Sequence, residues 1–248
     1  MTTVTISRAW LLVACFLTLG ASAAPAGVQR LQQHLPPIAK DNESLPRLAG
    51  ALTPAGQRVN LGLAKLDASW RAFRRDCKET TRSVKVTMLT PRMFGLLVSD
   101  DTSCGAHPSE GQMALVYDLD TGRPVDWAKV LGPRLVKSST IDSAIDGTNI
   151  GFVVATPALH DLYLRQVKAE RAGDASWATD CADALADPDL AFEVSPDTKA
   201  DGLVIWPGDL PHVIQACGDP VTAPTATLRK LGADARFLDE VDAAHRAR

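Results

Sequence analysis

Residues 83–119, SVKVTMLTPRMFGLLVSDDTSCGAHPSEGQMALVYDL, decide how this chain folds. Val84, Val86 and Met88 alternate with Lys85 and Thr87, the period of a strand with one face buried. Pro91 breaks that run. Met93–Ser99 is denser in apolar residues and reads as a more buried strand. Asp100–Gln112, DDTSCGAHPSEGQ, reads as a polar loop that carries Cys104. Met113–Asp118 is the next strand. Asp120-Thr121-Gly122-Arg123 then turns the chain into Pro124 and a short helix over Trp127–Leu131. Short loops between successive strands require antiparallel pairing.

Helical periods flank this block. Upstream, Val59, Leu63, Leu66, Trp70 and Phe73 recur at helical spacing, with Arg58, Lys65, Arg71, Arg74 and Arg75 on the other faces. That is a helix packed on a sheet through one stripe; a partner-binding or membrane-surface helix is the alternative. Ahead of it, residues 24–54 hold five prolines and read as a Pro-rich lead-in, with a short helix around Val28–His34. Downstream, Pro157 opens a helix through Val167 toward Gly173, and Ala175–Leu185 forms a second. Leu190–Val194, Leu203–Trp206 and Val213–Ala216 read as strands. Ala223–Leu231 reads as a helix. The order is that of an α+β fold: antiparallel sheet with helices packed on one side. The expected division is a signal peptide over 1–23, the lead-in over 24–54, a single α+β domain over 55–233 and a polar C-terminal tail or helix over 234–248.

The 248 residues are 46% apolar and 22% charged, an ordinary globular composition. A formal charge of −3 gives no electrostatic case for nucleic acid or an anionic membrane. Ala9–Leu19, AWLLVACFLTL, follows a start whose one side-chain charge is Arg8, and small residues follow it through Ala24. This is the order of a secretory signal, with cleavage placed after Ala23, so the chain is expected to be periplasmic or secreted. Leu12-Val13-Ala14-Cys15 also spells a lipobox, but too few apolar residues precede it. Membrane attachment is expected only if Cys15 is lipidated or the signal is retained.

Cleavage would leave Cys77, Cys104, Cys181 and Cys217, an even set suited to an oxidising compartment. Four cysteines allow three pairings, and the sequence leaves all three open. Two local disulfides, Cys77–Cys104 and Cys181–Cys217, are the expectation, each closing a loop of about 30–40 residues worth about 3–4 kcal/mol. No two of these cysteines have zinc-finger spacing.

Chemistry-bearing motifs are sparse. Asp120-Thr121-Gly122 spells the aspartic-protease triplet, but a second copy is missing, and Asp and Gly are what a hairpin turn demands. Asp118–Gly122 lacks the later ligands of a calcium loop. His34, His107, His160, His212 and His245 fall in no metal spacing. His160 is read as a solvated residue on a helix. His212, after Pro211 and near Cys217, is the residue to test first for catalysis. Asp180, Asp183, Asp187 and Asp189 read as a solvated face. Asn42-Glu43-Ser44 is a glycosylation sequon. No catalytic residue, metal or cofactor is assigned.

Two stretches resemble a known family. Tyr117-Asp118-Leu119-Asp120-Thr121-Gly122-Arg123-Pro124-Val125-Asp126-Trp127 looks like its strand, turn and short helix. Asp201-Gly202-Leu203-Val204-Ile205, Leu210-Pro211-His212-Val213, Cys217, Val221, Pro224 and Leu228 look like its C-terminal signature. The family is the RsiV-type extracellular domain of lysozyme-sensing anti-sigma factors, also found ahead of polysaccharide-deacetylase domains. The resemblance spans residues 80–232 without the anti-sigma or deacetylase parts, so neither of those activities carries over. It implies a non-enzymatic binding domain of the bacterial cell envelope that recognises a hydrolase such as lysozyme or a cell-wall component. An unrecognised exported hydrolase is the alternative, and a structural envelope protein making contact through Trp70 and Phe73 is a third reading.

Overall fold

The computed structural model describes residues 32–104, 108–145, 148–208 and 210–248. The expected signal peptide, the lipobox-like stretch with Cys15, residues 28–31 of the expected short helix, and His107 lie outside the described residues. β1 (Gln32–Gln33) pairs with β2 (Arg47–Leu48), and α1 (Pro54–Asp76) follows. Thr53 starts α1: its hydroxyl accepts the Gly56 N–H, and Pro54 stands where a missing N–H costs nothing.

The opening stretch folds into β3 (Thr80–Leu89), β4 (Met93–Thr102), β5 (Ser109–Asp118) and the short β6 (Arg123–Pro124), antiparallel in sequence order. Gly122 closes the β5–β6 turn at φ 69°, and a Cβ there would meet the Ala55 carbonyl oxygen at 2.3 Å. α2 (Trp127–Leu131) leads into the hairpin β7 (Val136–Ile145) and β8 (Thr148–Ala155). Then come α3 (Pro157–Glu170), α4 (Ala175–Leu185), β9 (Ala191–Pro196) and β10 (Gly202–Pro207). A 3-10 helix (His212–Cys217), β11 (Val221–Pro224), α5 (Thr225–Lys230) and α6 (Ala235–Arg246) complete the chain. Strands β11-β10-β9-β8-β7 form the second sheet, also antiparallel.

The fold is α+β, with antiparallel sheets, helices on their outer faces and two disulfides. Alternation along the strands decides the layering. Phe94, Leu96, Val98, Leu115 and Tyr117 face α1, packing on its Val59, Leu63 and Leu66. The opposite face of that sheet presents Leu97, Ala114 and Val116 to the second sheet. Phe192 on the far side of the second sheet meets Tyr163 of α3 edge-on at 5.0 Å. The two sheets therefore lie face to face with a helical layer outside each. No helix among the described residues is long and apolar enough to cross a membrane.

Several elements differ from the sequence reading. Gln32–Gln33 is extended rather than helical because it pairs with β2. Val213–Ala216 is a 3-10 turn, not a strand: Val213 is 89% exposed, and Cys217 is bonded to α4. The polar loop expected over 100–112 shrinks to the hairpin tip, since β4 runs to Thr102 and β5 starts at Ser109. The lead-in enters the core through Leu45 and Leu48, and buried Asn42 accepts from Trp70 Nε1 at 3.0 Å. Folding thus hides the sequon asparagine.

Candidate acidic cleft

The two sheets stay together only part of the way along β3–β5. Where they meet, polar pins cross the apolar interior. Ala114 N–H donates to Glu193 Oε2, Thr87 and Ser195 share a hydroxyl contact at 3.4 Å, and Lys85 Nζ bonds Asp197 at 2.5 Å. Glu193 is 2% exposed, and burial pushes its carboxyl up to about 8. Within the second sheet, Gly208 just after β10 leaves room for Phe152 of β8 and for the Glu193 side chain: a Cβ there would strike the Phe152 ring at 2.5 Å.

Beyond the pins the inner face of the first sheet turns polar. Ser83, Ser99, Asp101, Glu110 and Gln112 replace the apolar residues of the packed end, and the sheets part into a cleft of about 790 Å³. Trp206, Pro207, Leu210 and the 3-10 helix form the opposite wall. Closing the sheets here would strip water from carboxylates that have no partner, which burial forbids.

The cleft is acidic. Among the described residues, Asp41, Glu43, Asp100, Asp101, Glu110 and Asp219 line it against one cationic residue, Arg82. Some of these charges are spoken for. Glu43 accepts the Val84 N–H at 2.6 Å, and Asp219 takes Arg171 through two bonds of 2.6 and 2.8 Å. Arg82 belongs to a cluster beneath the cleft floor. It is 4% exposed, pairs with the fully buried Asp67 at 3.3 Å and lies over the Trp70 ring at 5.4 Å. Burial lowers its guanidinium below the usual arginine range, with Asp67 and Asp100 opposing that shift. Arg47 holds the other oxygen of Asp67 at 2.6 Å, and Leu45 N–H donates to the first at 3.1 Å, so the cluster sews the lead-in to α1 and β3. Burial raises the Asp100 carboxyl, the nearby Arg82 charge partly offsetting it.

Asp101 and Glu110 are different. They are cross-strand partners on β4 and β5, both exposed, and no ion pair reaches either among the described residues. Like charges directly opposite on a sheet destabilise it, so this pair carries a cost that a cation would relieve.

The residues singled out from sequence are dispersed. Cys77 bonds Cys104 and Cys181 bonds Cys217, with Cα separations of 5.4 and 5.3 Å. The second disulfide anchors the 3-10 helix that walls the cleft. His212 opens that helix, and its side chain lies outside the described residues. His160 is not solvated: it is 8% exposed, its Nε2 sits 2.6 Å from the Leu185 carbonyl oxygen, and it packs near Phe192. It lies on the side of α3 that meets the C-terminal end of α4. Asp120-Thr121-Gly122 is a turn, with Asp118 accepting the Asp120 and Thr121 N–H groups. Asp180, Asp183, Asp187 and Asp189 are exposed. Trp70 is committed to Asn42 and Arg82, while Phe73 stays 44% exposed. Asp101 and Glu110 were hidden inside the supposed loop. No local signal marks them: Ser109-Glu110-Gly111-Gln112 holds no apolar side chain to alternate, and it is pairing with β4 that makes it a strand.

The chain matches no protein-family model, and no curated protein matches it in sequence. A solved structure of a DUF3298 family member from Bacteroides fragilis is similar at 13% identity, over 78% of this chain and 75% of that one, with a TM-score of 0.44.

Proposed function

We propose that this chain is an exported, non-enzymatic binding domain of the bacterial cell envelope, whose acidic cleft takes a cationic surface of a protein partner. A basic hydrolase such as lysozyme is the type of partner that fits, and a cell-wall polymer is the competing ligand. The observation that carries this reading is the Asp101–Glu110 pair, opposed across β4 and β5 on the cleft wall with no ion pair to either carboxylate among the described residues, although Lys40, Arg74 and Lys78 line a neighbouring pocket on the Asp101 side. The apolar run Ala9–Leu19 and the two disulfides support export. The RsiV-type resemblance supports the class of partner. Charge of one sign in a cleft steers an oppositely charged partner and fixes its orientation.

The test is capture from an envelope extract, with and without added lysozyme, by the full chain and by Asp101→Asn/Glu110→Gln. Lysozyme retained by the first and not by the second is the expected result. Equal retention by both, or retention of peptidoglycan fragments alone, would overturn the reading.

A further inference from the structure

Only one edge of β5 is used along its whole length. Toward β4 it is paired from Ser109 to Asp118. On the other side β6 covers only Tyr117 and Asp118. Val125 N–H reaches the Val116 carbonyl at 2.9 Å, and Glu193 takes the Ala114 N–H. Peptide groups in an antiparallel pair alternate between the two sides of the strand. The next groups pointing away from β4 are therefore those of Gln112 and Glu110. No described residue pairs with them, and both residues line the cleft. The far edge of the sheet is handled differently. There the lead-in runs beside β3, with Arg82 N–H donating to Asp41 O and Glu43 N–H to Arg82 O, both at 2.9 Å. One edge is capped by the chain itself, and among the described residues the other is left unpaired over the stretch that faces the cleft.

Resting on the cleft's reading as a cation-binding site, we propose that it recognises its partner by strand addition. An extended segment lies along β5 beyond the end of β6, exchanging main-chain hydrogen bonds with Glu110 and Gln112. Its side chains alternate, and the one opposite Glu110 falls on the inner face beside Asp101 and Glu110. Lysine or arginine there meets two unpaired carboxylates. An acidic residue there adds a third like charge, and an apolar one strips them of water without compensation. The side chains thus select the segment, while the main chain supplies contacts that any sequence can make. The same carboxylates keep a second copy of this acidic chain off the edge.

The experiment measures amide exchange at Glu110 and Gln112 in the full chain. The probes are an alternating lysine–threonine peptide and its analogue N-methylated at alternate residues, which keeps the charge but cannot complete the ladder. Protection of both amides by about tenfold or more with the first peptide, and none with the analogue, is the expected result. Salt-dependent binding of both peptides alike, with unchanged exchange at Glu110 and Gln112, would overturn strand addition while leaving the acidic cleft as a cation site. Lysozyme bound by the full chain while neither peptide binds would also overturn it, because the partner would then need a folded surface.

Discussion

Glu193 makes this fold sensitive to alkali, and the size of the effect follows from its position. Its carboxyl is 2% exposed between the sheets, titrates near 8 instead of the ordinary 4.5, and accepts the Ala114 N–H. The folded form therefore holds a proton that the unfolded chain gives up at lower pH. A raised folded value means full stabilisation below about 4.5 and progressive loss as pH rises through about 8. At about 1.4 kcal/mol per pH unit, the interval corresponds to about 5 kcal/mol. Glu193→Gln keeps an oxygen for Ala114 and removes the titration. Urea unfolding of the two proteins at pH 5 and pH 9 isolates this group, because every other titrating residue is shared. The variant should match the wild type in acid and exceed it by several kcal/mol in alkali. Glu193→Ala leaves the Ala114 N–H without its acceptor and should lose about 1–3 kcal/mol at both pH values. A stability difference between wild type and Glu193→Gln that does not change with pH would refute the reasoning.

Other perturbations have equally definite outcomes. Asp67→Asn leaves Arg82 buried without its counter-charge and should cost about 3–5 kcal/mol, read as a Tm lower by about 10 °C. Cys181→Ser/Cys217→Ser opens the loop that anchors the 3-10 helix, and should cost about 3–4 kcal/mol in urea unfolding. Non-reducing peptide mass spectrometry should return Cys77–Cys104 and Cys181–Cys217 and no other pairing. Gly202→Ala places a Cβ 2.1 Å from the Ala223 carbonyl oxygen, so β10 and β11 must part, at about 3 kcal/mol in the same assay.

Much of the fold was legible because local period and burial agree. Val59, Leu63 and Leu66 sit on the buried side of α1, and the alternation at Val84–Met88 is a strand. The local cysteine pairing also matches, since each partner lies within a Cα separation of 5.4 Å. The failures share a physical cause: long-range partners that no short window contains. Asp67 and Arg82 look like surface charges until the lead-in and α1 enclose them. His160 looks solvated until Leu185 offers its carbonyl. The cleft was the least visible feature. Its wall is made of Ser109–Gln112 and Ser99–Thr102, which are strands by pairing and loops by composition. A polar strand end exists only because a neighbouring strand supplies its hydrogen bonds, and the sheet then holds Asp101 against Glu110.

The central claim is that these two carboxylates form the cation-binding mouth of the cleft. Calorimetric titration with lysozyme at about 20 mM and about 200 mM salt, a range across which charge screening tightens severalfold, tests it most directly. The account predicts measurable binding by the wild type that weakens by about tenfold or more at the higher salt, with Asp101→Asn/Glu110→Gln weak and nearly indifferent to salt. Undetectable binding by the wild type at low salt, or equal affinities for the two proteins, would contradict it.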